Sequence, residues 1–169
     1  TIHLEEYGGY LLSFNGAKIL NLKTGEIVYQ KVLDNSLIKD LYKYAVLEDM
    51  GLVTYESDCV ITGTRIDDKM TLEAKINGLE LKTVDDFVNY VDFDVNKCLF
   101  TSDEDHALER ELHLAKLYEG QASIYRSEPF FIEVMPVGVD KAASLDILVK
   151  KLGMSVEDVI ACGDGFNDM

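Results

Sequence analysis

Tryptophan is absent from the 169 residues, proline occurs twice and cysteine three times. No internal repeat or low-complexity tract is visible. Cys59, Cys98 and Cys162 are odd in number, far apart and set beside apolar neighbours, which argues against a disulfide or zinc framework and reads as buried thiols in a reducing cytoplasm. No run of about 18 apolar residues occurs, and no basic, apolar and small-residue leader precedes the first strand, so the expectation is a cytoplasmic protein with no membrane partner. Positive charge is scarce as well: 16 Lys and Arg stand against 31 Asp and Glu, a formal charge of -15. That charge repels a phosphate backbone at long range and argues against nucleic acid as a partner. It leaves a small phosphorylated substrate open, because a bound divalent cation and one lysine invert the local potential.

What the chain does have is apolar residues, 47% of the total, enough to build a core. Their order divides it. "GYLLSFNGAKIL" is two apolar stretches around Asn15-Gly16, and "IVYQKVL" follows after "KTGE", so residues 9–33 read as a hairpin and a further strand. From Ser36 the period becomes helical through Leu37, Leu41 and Tyr44, with Gly51 as the stop. Strands "LVTYES" and "CVITG" come next, then short helices in "KMTLEAKI" and "TVDDFVNYV". Strand "NKCLFT" precedes a helix from about Asp103 to Tyr118, whose Leu108, Leu112 and Ala115 mark one face. Strands "ASIYRS" and "FFIEVM" follow, separated by Glu128-Pro129. After Pro136 a helix spans Asp140 to Leu152, and Val159 to Cys162 read as a buried strand. Residues 34–135 thus form an inserted α+β domain between two parts of an α/β domain, 1–33 and 136–169. The strand "FFIEV" has two claimants, the inserted sheet and a βαβ unit with "VIAC".

Two polar landmarks lie near the C-terminal end. In "VIACGDGFNDM" a strand delivers Asp164 between two glycines, followed by Asn167 and Asp168, which suit the first turn of a helix. Such residues also populate ordinary turns. Lys141 stands at the first turn of the helix after "MPVGVD", at the positive end of the macrodipole, where a cation is mildly unfavourable. In an open α/β sheet, loops following strand carboxyl ends share one crevice. A helix N-terminus, a lysine and a metal-binding carboxylate there would suit a doubly charged phosphate. His3, His106 and His113 have no metal-site spacing; the last two, seven apart on one helix face, read as a solvated stripe.

On these motifs the chain resembles the haloacid dehalogenase-like phosphatases, in particular the Cof-type sugar-phosphatase branch. "GVDKAASLDIL" is similar to that family's third motif, "GDGFNDM" to its fourth and "SFNGAKI" to the stretch before its cap. The resemblance implies an incomplete Rossmann-like core with an inserted α+β cap of type IIB. It further implies Mg²⁺-dependent hydrolysis of small phosphate esters through an aspartyl phosphate. Asp164 would hold Mg²⁺, Asp168 would support the metal's water shell and the lysine, and Lys141 would neutralise the phosphoryl group and the nucleophile. Asn167 would contact phosphate, with Asn15 and Gly16 lining the cleft. The family's opening Asp-x-Asp nucleophile pair and its Ser or Thr motif are not found, which leads us to expect a fragment without activity by itself. Asp67-Asp68, Asp85-Asp86, Asp92-Phe93-Asp94 and Asp103-Glu104-Asp105 fall inside the inserted domain and read as turns or helix starts. Alternatives are a phosphomutase or sucrose-phosphate phosphatase of the same cap type, a cation pump with a similar "GDGxND" signature, and a non-catalytic binding module. Arg126 and Ser127, between the last two cap strands, are candidates for contact with the leaving group. Oligomeric state is not legible.

Overall fold

The computed structural model describes residues 4–160 and residue 162. The chain divides into two compact units, Thr1–Lys31 with Gly138–Met169, and Val32–Val137.

The first unit opens with a short helix α1 (Leu4–Tyr7) and continues as strands β1 (Tyr10–Ser13), β2 (Lys18–Asn21) and β3 (Ile27–Gln30). These form an antiparallel sheet in chain order. The β1–β2 connection is the Asn15-Gly16 turn that the sequence indicates: Ala17 N–H donates to the Phe14 carbonyl at 2.8 Å, and Asn15 and Gly16 both have positive φ. Asn-Gly suits this because a tight hairpin turn needs left-handed torsions at both central residues. Where the chain returns to this unit, a Cβ on Gly138 would lie 3.7 Å from Lys31 Nζ, so exit and re-entry points adjoin. The unit's long helix spans Lys141–Lys151, and the Ser155-x-x-Asp158 capping box follows it as a short 3-10 turn. Val159 and Ile160 form no strand, and Ile160 is exposed, against the expectation of a buried strand; no described strand runs beside them, and Ala161 lies outside the described residues. The core that the family resemblance implies is therefore seen only in part.

The second unit contains α2 (Asn35–Leu47), β4 (Gly51–Glu56), β5 (Cys59–Thr62), α3 (Asp68–Asn77), β6 (Glu80–Thr83) and α4 (Phe87–Tyr90). It continues with β7 (Cys98–Thr101), α5 (Glu104–Leu117), β8 (Ala122–Glu128) and β9 (Phe131–Pro136). The helix in the first unit is then α6. The strands make one sheet in the order β6-β5-β4-β7-β9-β8, antiparallel except for β5 with β6. Strand residues alternate between faces. Leu52, Ile61, Phe100, Ile132 and Val134 join one core cluster together with Leu37, Leu41, Phe87 and Leu114 from α2, α4 and α5. Val53, Val60, Leu99 and Phe131 join the other, with Met70 and Ala74 of α3. The sheet is buried on both faces, which is why β7 and β9 read as nearly continuous apolar runs.

Four points that the sequence leaves open or reads otherwise are decided here. Strand "FFIEV" belongs to this sheet as β9, between β7 and β8, and not to a βαβ unit. "TVDDFVNYV" supplies only the single helical turn α4, and "ELKT" before it is a strand; its polar residues hid it because β6 is an edge with mostly exposed side chains. Gly51 is not the end of α2: Asp49 takes the positive φ of 48°, and Gly51 begins β4, where a Cβ would collide with the side chains of Thr101, Met70 and Asp67. Finally, α5 turns Ala107 and Leu114 inward and leaves Leu108 and Leu112 exposed. Ala107, Leu114 and Tyr118 share one stripe, and small Ala107 lets the helix lie close on β8 and β9, so Leu108 and Leu112 fall on its flank.

Candidate active site

Among the residues that the sequence singles out, Asn15, Gly16 and Lys141 are described, whereas Asp164, Asn167 and Asp168 lie outside the described residues. Asn15 is half-buried, Gly16 buried and Lys141 exposed. Lys141 is the first residue of α6, directly after the N-cap Asp140, whose carboxylate accepts from Ala143 N–H at 2.6 Å. A cap of this kind satisfies one orphan amide and fixes the helix start. The turn carrying Asn15 rests on that helix start. A Cβ on Gly16 would lie 2.6 Å from Ser144 Cβ and 3.0 Å from the Asp140 carbonyl oxygen, so only glycine fits. Gly16 and Asp140 adjoin in space, and their chain neighbours Asn15 and Lys141 flank the same contact.

The backbone of that turn is unusual. Phe14, Asn15 and Gly16 have φ of 51°, 52° and 98° in succession. Asn and Gly tolerate the left-handed region, but a bulky Phe there is strained by about 1–3 kcal/mol, a cost that persists only where surroundings impose it. The sequence marks Asn15 and Gly16 but gives no sign of Phe14's torsion or of Ser144, whose burial at 1% exposure is what supports the turn.

Among the described residues no group of three or more His, Cys, Asp and Glu side chains comes together as a metal site. The oxygen donors that the resemblance assigns to Mg²⁺ are among the residues not described. The substitute carboxylates of the second unit play the part expected of them: Asp67 and Asp86 cap α3 and α4, Asp103 stands at the N-cap position of α5, and Asp92 and Asp94 are exposed in the loop after α4. Arg126 is held by Glu111 of α5 at 2.5 Å, so its guanidinium braces helix to strand. Two cavities in this unit, of about 300 and about 350 Å³, contain none of the expected site residues. His106 and His113 line the second, and His113 stacks on Tyr44.

Sequence reading also missed a buried polar group on the second unit's sheet. Lys97 donates to Glu133 at 2.9 Å, and Tyr55 donates to Glu73 at 2.5 Å. Burial first, then the Glu73 carboxylate, pushes the Tyr55 phenol far up from its ordinary range. The available signal was Glu133 itself, a charge inside the apolar run "FFIEVM". Cys98 is fully buried, and burial pushes its thiol up to about 12. Cys59 is half-buried and Cys162 exposed, so only Cys98 fully meets the expectation of buried thiols.

The chain is thus an α/β protein in which a sheet unit stands between two parts of another unit, and in that other unit a strained Asn-Gly turn packs on a capped helix start that bears a lysine. The model of the haloacid dehalogenase-like hydrolase family matches residues 2–169, and the chain belongs to that family. It is similar to a haloacid dehalogenase-like hydrolase from Bacteroides thetaiotaomicron, with 36% identity and a TM-score of 0.93 over 98% of this chain and 62% of that one. BT1666 from Bacteroides thetaiotaomicron, a phosphatase of the same superfamily, matches at 22% identity and a TM-score of 0.76 over 94% and 57%. The subclass IIB sugar phosphatase BT4131 matches at 18% and 0.70 over 94% and 58%. The last two likenesses are of fold. The chain spans about three fifths of the length of these structures.

Proposed function

We propose that the full-length protein is a Mg²⁺-dependent phosphatase of small phosphate esters, sugar phosphates or similar metabolites, of the Cof type with residues 32–137 as a type IIB cap. The observation that carries this reading is the packing of the Asn15-Gly16 turn on the start of α6, beside Lys141. A lysine at a helix start offers a cation beside the positive end of the helix dipole to the oxygens of a phosphoryl group. In this reading Lys141 neutralises charge on the phosphoryl group and on an attacking carboxylate, while Asn15 and Asn167 orient the phosphate. Asp164 would ligate the cation and Asp168 would hold its water shell and Lys141. Mg²⁺, when bound, supplies positive charge for the equatorial oxygens. The nucleophile would be a carboxylate of an Asp-x-Asp motif: its oxygen attacks phosphorus, the alcohol leaves with a proton from the second Asp, and water then releases phosphate.

The test is Lys141→Ala in a protein that contains this chain together with such a motif. An exposed first-turn lysine contributes little to folding, whereas a phosphoryl clamp is worth several kcal/mol in the transition state. Turnover of a sugar phosphate should fall by roughly a hundredfold or more, with a thermal midpoint close to that of the parent. Undiminished turnover would remove Lys141 from the mechanism.

A further inference from the structure

Three successive positive torsions occur at Phe14, Asn15 and Gly16, and a side chain on the lysine-bearing helix packs against this turn. Ser144 lies three residues after Lys141, a spacing that places both on neighbouring positions of one helix surface. It is 1% exposed, and its Cβ and Oγ occupy the space into which a side chain at position 16 would project. Its own N–H donates to the Asp140 carbonyl at 3.1 Å, the same carbonyl that lies 3.0 Å from the Cβ position of Gly16. The helix start and the strained turn thus meet in a contact that leaves room for small side chains only. We infer that Ser144 is a positioning residue, holding the Asn15 turn against α6 so that Asn15 and Lys141 keep a fixed spacing toward the phosphoryl group. This rests on the phosphatase reading above and adds to it a residue that touches neither substrate nor metal.

Small displacements of such groups have large kinetic effects: a shift of about 1 Å can lower turnover a hundredfold. Overfilling the contact with Ser144→Val should therefore lower kcat on a sugar phosphate at least tenfold, by this misplacement, with KM changing much less. Gly16→Ala should do the same, and Ser144→Gly added to Gly16→Ala should restore part of the lost kcat by making room for the new methyl. A residue with a purely structural role would instead lose activity only in proportion to the unfolded fraction, with kcat per folded molecule unchanged in each variant. Unchanged kcat per folded molecule in Ser144→Val, or no recovery of kcat in the double variant, overturns the inference. Amide chemical shifts of residues 14–17 are read in parallel on the parent and Ser144→Val proteins. Shifts at Asn15 and Gly16 support the docking, and unmoved amides overturn it whatever the activity. A parent protein that folds but turns over no phosphate ester overturns the phosphatase reading, and the catalytic part of this role with it.

Discussion

At the scale of single residues, Gly16 and Cys98 make opposite kinds of demand. Gly16 needs absent volume, because a methyl there meets Ser144 and the Asp140 carbonyl at a φ of 98° that L residues avoid. Gly16→Ala should accordingly destabilise the first unit by about 1–3 kcal/mol, measured by denaturant unfolding, since overpacking and backbone strain act together. Cys98 needs absent charge. Burial raises its thiol from the ordinary 9.0 to about 12, and a hydrogen bond with Thr54 only partly opposes this. Between those values the unfolded chain releases a proton that the folded chain keeps. Stability from this group is therefore complete below pH 9 and falls as pH rises, by about 1.4 kcal/mol per pH unit. Cys98→Ala should unfold with a shallower alkaline slope between pH 9 and 11. The same burial leaves Cys98 slow toward alkylating reagents at pH 8, with Cys162 fast.

At the scale of elements, the sheet of residues 32–137 carries its charges in pairs. Lys97, directly before β7, and Glu133 of the neighbouring β9 have little exposure, at 14% and 8% of their side chains. Removing one partner leaves the other buried and unpaired, so Lys97→Met should destabilise this unit by about 3 kcal/mol, whereas replacing both residues by apolar ones should cost far less. Helix α5 provides the contrast. Leu114→Ala should cost about 2–5 kcal/mol because its side chain is wholly buried, while Leu112→Lys, on the exposed flank, should stay within about 0.5 kcal/mol of the parent. Thermal or urea midpoints of the two variants check the reversal of the face that leucine spacing alone suggests.

At the scale of the whole molecule, the chain leaves the first unit after Lys31 and re-enters at Gly138, and residues 32–137 hold a six-stranded sheet covered on both faces. Hydrogen exchange should be slowest in β7 and β9, each paired on both sides, faster in the edge strands β6 and β8, and fastest at Val159 and Ile160. Equal protection at Val159 would show that this segment has strand partners of its own. Much of this was legible in local pattern. Helical spacing located α2, α3, α5 and α6, Asn-Gly marked the first hairpin, and the aspartates at helix starts declared themselves as caps. Those features depend on interactions within a few residues, which sequence order already contains. Lys141 was likewise marked as a site candidate by its local position, whereas Asn15 was marked only by the family resemblance. The ownership of β9, the edge strand β6, the inward face of α5 and the support of the Asn15 turn by Ser144 were decided only in three dimensions. Each depends on which distant segment comes to lie alongside. Strand pairing, burial and close packing are set by partners 10 to 128 residues away, from Thr62 beside Leu52 to Ser144 against Gly16, and periodicity contains no record of them.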